Sequence, residues 1–556
     1  METKTCIRCQ KSFEIKPKEQ AFYDQMKVTT PSLCPRCGLE RMAALRNERN
    51  LHRRACDKCK KDGLSLYHPK APYVVWCHDC WWKDDWSAKD YAHDYNPSRS
   101  IFDQFLELQK KVPREALINV NSTNSDYGNN IRDSKDIYFC FLVAHAENAL
   151  YSMWVIGRDI LDCHKLPSGE RLAYSIDTSK CSYSTYLQDC VDSADCHFSY
   201  DLKGCTSCLF SSGLRNKSYY VRNKQVTKDE FAREKAKTLN GSWSTLQESI
   251  REYTELKKRA LRKYANFLKS SNVVGNYLEG CGDSTWIFEG LNTERCHAVA
   301  SILNNKESYY SYSLGTQPGE FIYGSSVIKG GSNIRFSFNT LTSNNLTRCD
   351  SMLSSSDCIA SVGLKHGEFS ILNKAYSKEE YEKIKESIEA KEELSDFPGK
   401  EFGTFAYNET AAFDYYPLTK EKALAAGYTW QDNFQSTTGK ETIQPEALPD
   451  SIHETDDSIL KQVLKCITCA RNYRIVAPEL KLLREFPLPI PRECPQCRMA
   501  ARRAERRPFT LWHRFCMCTQ DTHQHPVPCR NEFETSYAPE RPETVYCETC
   551  YNAEVV

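Results

Sequence analysis

Sixteen of the 28 cysteines fall in close pairs at the two ends of the chain. Near the N-terminus the pairs are Cys6/Cys9, Cys34/Cys37, Cys56/Cys59 and Cys77/Cys80; near the C-terminus they are Cys466/Cys469, Cys494/Cys497, Cys516/Cys518 and Cys547/Cys550. Two closely spaced cysteines form a knuckle that offers two thiolates to one ion, and two knuckles complete a tetrahedral zinc site. The expected chemistry is metal binding, with four Zn sites. No apolar run is long enough to cross a membrane, and METKTCIRCQ lacks the apolar core of a signal peptide. The expectation is a cytoplasmic protein, in a compartment where thiols stay reduced and disulfides are rare.

The elements that must position these thiols occur twice. Cys6, Cys9, Cys34, Cys37 and Cys56 map onto Cys466, Cys469, Cys494, Cys497 and Cys516 by adding 460. Phe13/Tyr473, Glu19/Glu479, Pro31/Pro491, Arg46/Arg506 and Arg54/Arg514 obey the same offset. Sequential pairing of knuckles gives two zinc ribbons per module, and interleaved pairing gives a cross-brace. The 18-residue connector reads as helical, with Leu39, Met42 and Ala43 on one face, which favours sequential pairing. In Cys34-Pro-Arg-Cys37-Gly38 the small residue is expected to free backbone N–H groups to face sulfur. The second module departs at Cys516-Met-Cys518, which has one spacer, and His523, His525 and Cys529 lie nearby as competing ligands.

Net charge is only +1, yet residues 1–60 hold 14 Lys+Arg against 7 Asp+Glu, and residues 461–518 hold 13 against 4. The connectors carry Arg41, Arg46, Arg49, Arg53 and Arg54 in one module and Arg498, Arg502, Arg503, Arg506, Arg507 and Arg514 in the other. Guanidinium groups make bidentate contacts to phosphate and stack on bases. They pair equally well with carboxylates of the same chain. Trp76, Trp81, Trp82 and Trp86 surround one knuckle, as ribbon core or as stacking platforms.

Between the modules, short aromatic and β-branched runs such as Ile137–Leu142 and Cys181–Leu187 alternate with Asp, Asn, Ser and Gly turns. This rhythm fits a solenoid of stacked rungs, with a β-sandwich as the rival. The block repeats at an offset of 150: Cys208/Cys358, Gly213/Gly363, Asn223/Asn373, then the helix caps Thr227 and Ser377. Cys181, Cys190, Cys196, Cys205, Cys208, Cys281, Cys296, Cys349 and Cys358 suit an inward ladder, and Cys196, Cys205 and Cys208 could alternatively hold metal. Strand alternation puts His164, His197 and His297, each following a cysteine, on the outer surface. With Asp189, Asp192, Asp195 and Asp201 they form the candidate face for an enzyme.

The fold class expected is therefore multidomain and mainly β: two β-solenoid-like blocks in tandem, joined by helices and flanked by paired zinc-ribbon modules. The divisions are 1–95 (N-terminal module), 96–118 (docking helix), 119–226 (first block), 227–270 (linking helices), 271–376 (second block), 377–432 (helix and aromatic connector), 433–460 (linker) and 461–556 (C-terminal module). Arg46-Asn-Glu-Arg49, Asn223–Phe231, Asn373–Tyr381, Tyr407-Asn-Glu-Thr410, Tyr416–Glu421 and Cys547-Glu-Thr-Cys-Tyr551 resemble motifs of a family of zinc-ribbon, Cys-rich β-repeat proteins from candidate-phyla bacteria. The resemblance spans nearly the whole chain, departs at Cys516-Met-Cys518, and implies no activity. The leading functional expectation is a non-enzymatic protein whose arginine helices bind RNA or single-stranded DNA. The alternatives are an assembly scaffold with a protein partner, or an enzyme on the β face.

Overall fold

Residues 12 apart lie side by side through the middle of the chain. Ser182, Ala194, Thr206 and Ser218 stand in parallel register, as do Thr285, His297 and Tyr309. The computed structural model describes residues 2–315, 317–391, 403–432, 434 and 436–555. Among them, a ten-stranded sheet runs from Asn119–Val120 to Lys224–Gln225, and a 13-stranded sheet runs from Phe267–Leu268 to Lys374–Ala375. The protein is mainly β, with cysteine clusters in both terminal regions.

The local cause of this register is a left-handed residue at every third position. Asp189, Asp192, Asp195, Phe198 and Asp201 all have φ between 47° and 56°. Asp and Asn tolerate this region because their short side chains bond locally, which is why the turns read as Asp-rich in the sequence. The inward side chains accordingly recur every third residue rather than every second. Leu187, Cys190, Ser193, Cys196, Ser199, Leu202 and Cys205 are each at most 2% exposed. The cysteines do face inward, as expected. The outward histidines are a correction: His164, His197 and His297 are all buried.

Inward serines join one turn to the next. Ser199 Oγ donates to His197 O (2.9 Å) and accepts from Ser211 N–H (3.2 Å). Ser184, Ser193 and Ser211 accept the same N–H bond from twelve residues on. Cysteine fills the role at other turns, where Cys190 Sγ donates to Gln188 O and accepts from Leu202 N–H. Ser199→Ala would leave the buried Ser211 N–H unpaired and is expected to cost about 1–3 kcal/mol, whereas Ser199→Cys should cost less. Chemical denaturation of the two variants checks this; equal losses would mean that the hydroxyl is only filling space.

Each sheet is closed by a capped helix. Thr227 Oγ1 caps Lys228–Thr238 with Glu230 returning the bond, and Ser377 caps Lys378–Glu389 with Glu380. The helix Trp243–Arg259 stops before the short strand Arg262–Lys263, so the linking helices do not fill the expected 227–270. The helix Lys378–Glu389 ends at Ala390, and a stretch of the connector after it, 392–402, lies outside the described residues. So does the first residue of the expected 433–460 linker. The described remainder of that linker is packed: Trp243 N–H bonds Asp450 O (2.7 Å), and Ile452 N–H bonds Gly241 O (2.9 Å). No helix among the described residues is long and apolar enough to cross a membrane.

The modules dock crosswise. The N-terminal module lies on the second sheet, where Phe22 stacks on Tyr309 at 3.9 Å and Tyr310 Oη donates to Leu33 O (3.1 Å). The C-terminal module lies on the first sheet, where Tyr151 Oη donates to Glu479 (2.7 Å). Each module also pairs a strand with the chain entering the other sheet: Val75–Trp76 with Arg114–Glu115, and Val545–Tyr546 with Arg262–Lys263. The helix Ile101–Lys111 seats Ile101, Phe105 and Leu108 in the core that the N-terminal module shares with the second sheet.

Candidate metal centres and the arginine helices

Knuckle geometry follows from the hairpins that carry it. The strands Glu2–Thr5 and Ser12–Ile15 pair antiparallel, and the turn between them holds Cys6 and Cys9. Cys6 O accepts from Gln10 N–H, and Gln10 takes φ 59°. Lys60 after Cys59 and Ala470 after Cys469 repeat the same turn, with φ 63° and 59°. The second knuckle opens a helix: Pro35–Ala43 starts at Cys34 and Pro495–Glu505 at Cys494. These helices begin inside their knuckles and are shorter than the connectors suggested, because each connector leaves the helix early and ends in a strand, His52–Ala55 or Trp512–Phe515.

Four groups of four thiols result, with every sulfur in a group within 4.8 Å of the others. They are Cys6/Cys9/Cys34/Cys37, Cys56/Cys59/Cys77/Cys80, Cys466/Cys469/Cys494/Cys497 and Cys516/Cys529/Cys547/Cys550. The grouping is sequential. Cys9–Cys34 and Cys469–Cys494 stand 3.7 Å apart and Cys59–Cys77 3.8 Å. A tetrahedron with metal–sulfur bonds of about 2.3 Å has an edge of about 3.8 Å, so the residues fit a metal of that geometry. Backbone N–H groups point at the sulfurs, as from Cys77 to Cys56 (3.3 Å), Cys494 to Cys466 (3.2 Å) and Cys547 to Cys516 (3.2 Å). Burial pushes the Cys56 thiol up, and bonds from the Cys59, Cys77 and Lys58 backbone reverse this and bring it to about 7.

The fourth group corrects the expected ligand set: Cys529 takes the place assigned to Cys518. In three knuckles the first cysteine's N–H bonds the carbonyl five residues on, at Lys11, Lys61 and Arg471; Cys516 N–H instead bonds Asn531 O (2.8 Å). Ten residues are inserted into this knuckle, so Cys529 stands where Cys59 stands in the first module. The change of offset from 460 to 470 between Cys56/Cys516 and Cys77/Cys547 is the sequence signal for it. Gly38 also has a different role. A Cβ there would lie 2.3 Å from the Tyr310 ring, so glycine admits the second sheet rather than freeing N–H groups for sulfur.

Most of the arginines singled out for phosphate are engaged within the chain. Arg498 bonds Glu479 (2.9 Å) beside Asp162, and Arg502 bonds Asp162 (2.6 Å) and Tyr151 O (2.8 Å). Arg506 grips Asp177 of the first sheet (3.1 Å) and Glu289 of the second, and Arg507 bonds Asp189 (3.0 Å). Asp414 of the connector receives Arg49 (2.6 and 3.0 Å) and Arg503 (2.6 Å), one arginine from each module. Arg46 reaches Ser313 and Glu48, and Arg54 reaches Asp57 and two carbonyls. Arg41 is half-buried, Arg514 contacts Met517 and Ala538 O, and Arg53 is exposed beside Asp62. The engagement is physical: a guanidinium that binds phosphate bidentately binds carboxylate the same way, and the remote carboxylates are brought in by the crosswise docking.

The tryptophans and the β-face residues are likewise committed. The Lys365 amine of the second sheet sits 4.3 Å from Trp81 and 4.5 Å from Trp82, and Trp76 packs in the ribbon core. His164 accepts from Arg506 (3.1 Å), and burial, reinforced by the Arg506 charge, holds it well below the usual histidine range. His197 lies between Thr185 (3.0 Å) and Asp195 (3.3 Å), and His297 contacts Thr285 (2.7 Å). Asp201 pairs with Arg215 (3.0 Å), while Asp192 is exposed. Cys196, Cys205 and Cys208 donate to carbonyls two residues back (3.2, 3.5 and 3.7 Å). Compared with known proteins, the chain matches no family model and no curated sequence.

Proposed function

We propose that this protein is a zinc-stapled, non-enzymatic assembly scaffold that meets a protein partner through its metal knuckles. Zinc is the ion that four thiolates in tetrahedral arrangement favour in a reducing compartment. The two sheets are read as β-solenoid blocks from one tandem duplication. The 12-residue register supports this, as do matched bonds at the ends: Asn223 closes on Ser211 and Ser212 as Asn373 closes on Ser361 and Val362.

The observation that carries the reading is the commitment of Arg498, Arg502, Arg506 and Arg507 to buried carboxylates, which assigns the arginine helices to internal assembly rather than phosphate. Both modules also present one matched apolar residue outward. Ile7 and Ile467, each following the first cysteine of its knuckle, are 65% and 54% exposed.

The test is cross-linking in cells that express the full chain, compared with Ile7→Asp/Ile467→Asp. Peptides of a defined protein cross-linked to both knuckle faces, and lost in the variant, are the expected result. Recovery of RNA or DNA in their place, with binding that falls steeply with salt, would transfer the role to nucleic acid.

A further inference from the structure

The ten-residue insertion in the fourth knuckle brings a second set of ligands against the first. Cys518, His523, His525 and Cys550 offer ligand atoms that all lie within 4.8 Å of one another, and Cys550 also belongs to the four-thiol group beside them. Cys518 and Cys550 are completely buried. Cys518 Sγ stands 3.2 Å from His523 Nδ1.

The outer nitrogens of both imidazoles are taken. His523 Nε2 lies 3.1 Å from the Glu554 carboxylate, so that nitrogen carries the proton and Nδ1 keeps its lone pair toward Cys518. His525 Nδ1 lies 2.8 Å from Pro526 O, which can only accept, so Nδ1 donates and Nε2 keeps the lone pair. That Nε2 is buried and has no hydrogen-bond partner. An imidazole that donates one N–H to a carboxylate or carbonyl and aims its other nitrogen at a thiol cluster is arranged as a metal ligand with its supporting shell. Without an ion, the orphaned Nε2 is a buried acceptor left unsatisfied.

We propose that residues 518–529 hold a fifth metal ion, bound by Cys518, His523, His525 and Cys550. Cys550 Sγ bridges it to the ion of Cys516, Cys529 and Cys547. The inference rests on the metal reading of the four-thiol groups and adds a two-metal centre found in one module only. The first module, lacking the insertion, has one ion at the matching Cys56/Cys59/Cys77/Cys80 group.

Native mass spectrometry of the full zinc-loaded chain tests the count, and cadmium NMR tests the bridge. Five ions are expected in the wild type and four in His523→Asn/His525→Asn. In the cadmium-loaded wild type, two resonances should split each other through the shared sulfur, a readout that does not depend on the variant folding. Four ions in the wild type would overturn the proposal and leave the four-thiol sites standing. Five ions without mutual splitting would overturn the bridge. Fewer than four would refute the four-thiol reading itself.

Discussion

Chelating the metal from the intact protein is expected to unfold both terminal modules and to lower the melting midpoint of what remains by more than about 10 °C. The modules have little else to hold their knuckles. The cluster at the first site is Cys6, Leu33, Cys34 and Cys37, and at the second Cys56, Trp76, Cys80 and Trp81. Structural zinc supplies on the order of 10 kcal/mol or more to such units. The wider effect follows from docking. Once the C-terminal module opens, Asp162, Asp177 and Asp189 lose the arginines that neutralise them. Limited proteolysis with circular dichroism reads both stages: cleavage first within residues 2–95 and 461–555, then a destabilised β signal. Unchanged protease resistance after complete metal removal would sink the stapling argument.

Arg506→Met is expected to cost about 3–5 kcal/mol, among the largest effects of any single substitution here. It strands Asp177 and leaves Glu289 with Lys165 and Ser301 alone, one carboxylate from each sheet, both nearly inaccessible. Adding Asp177→Asn and Glu289→Gln should restore much of the loss, since removing a whole buried ionic group is far cheaper than breaking it. The pH response separates charge from packing. Burial alone would raise Glu289, but Arg506 and Lys165 outweigh it and hold the carboxyl at about 2, against 4.5 in the unfolded chain. A depressed carboxylate stabilises fully above 4.5 and loses that contribution as pH falls toward 2. In Arg506→Met only Lys165 and Ser301 oppose the burial of this carboxyl, so it should titrate higher than in the wild type, and the variant should lose less stability than the wild type on acidification from pH 5 to 3. Denaturation midpoints across that range for both proteins check the sign. Parallel curves would show that the arginine acts by packing alone.

Legibility from sequence differed by element for physical reasons. The cysteine pairs were readable because thiolates at fixed spacing have few other uses. The β rhythm was readable from aromatic and β-branched runs, but its three-residue inward period was not. Period two is the ordinary strand signature, and left-handed residues at every third position, such as Asp189, Asp192 and Phe198, break it. Cys529 reads in the sequence as a competing ligand, because the offset shifts by ten only at that knuckle. The arginine pairings were out of reach. Arg502 and Asp162 are 340 residues apart, and nothing local to either distinguishes a carboxylate partner from a phosphate.

Crosswise docking also has a consequence for how the chain is made. The N-terminal module is synthesised well before its seat, which includes Tyr309 and Tyr310. The first sheet in turn waits for Glu479 and Arg502, which are made long after it. Each seat is therefore an exposed apolar and charged surface for much of synthesis, and the long sequence separations make final closure a slow, high-contact-order event. Shortening the gene from either end uncovers a surface on the distant sheet, so nested truncations should yield insoluble products well before they reach either β block.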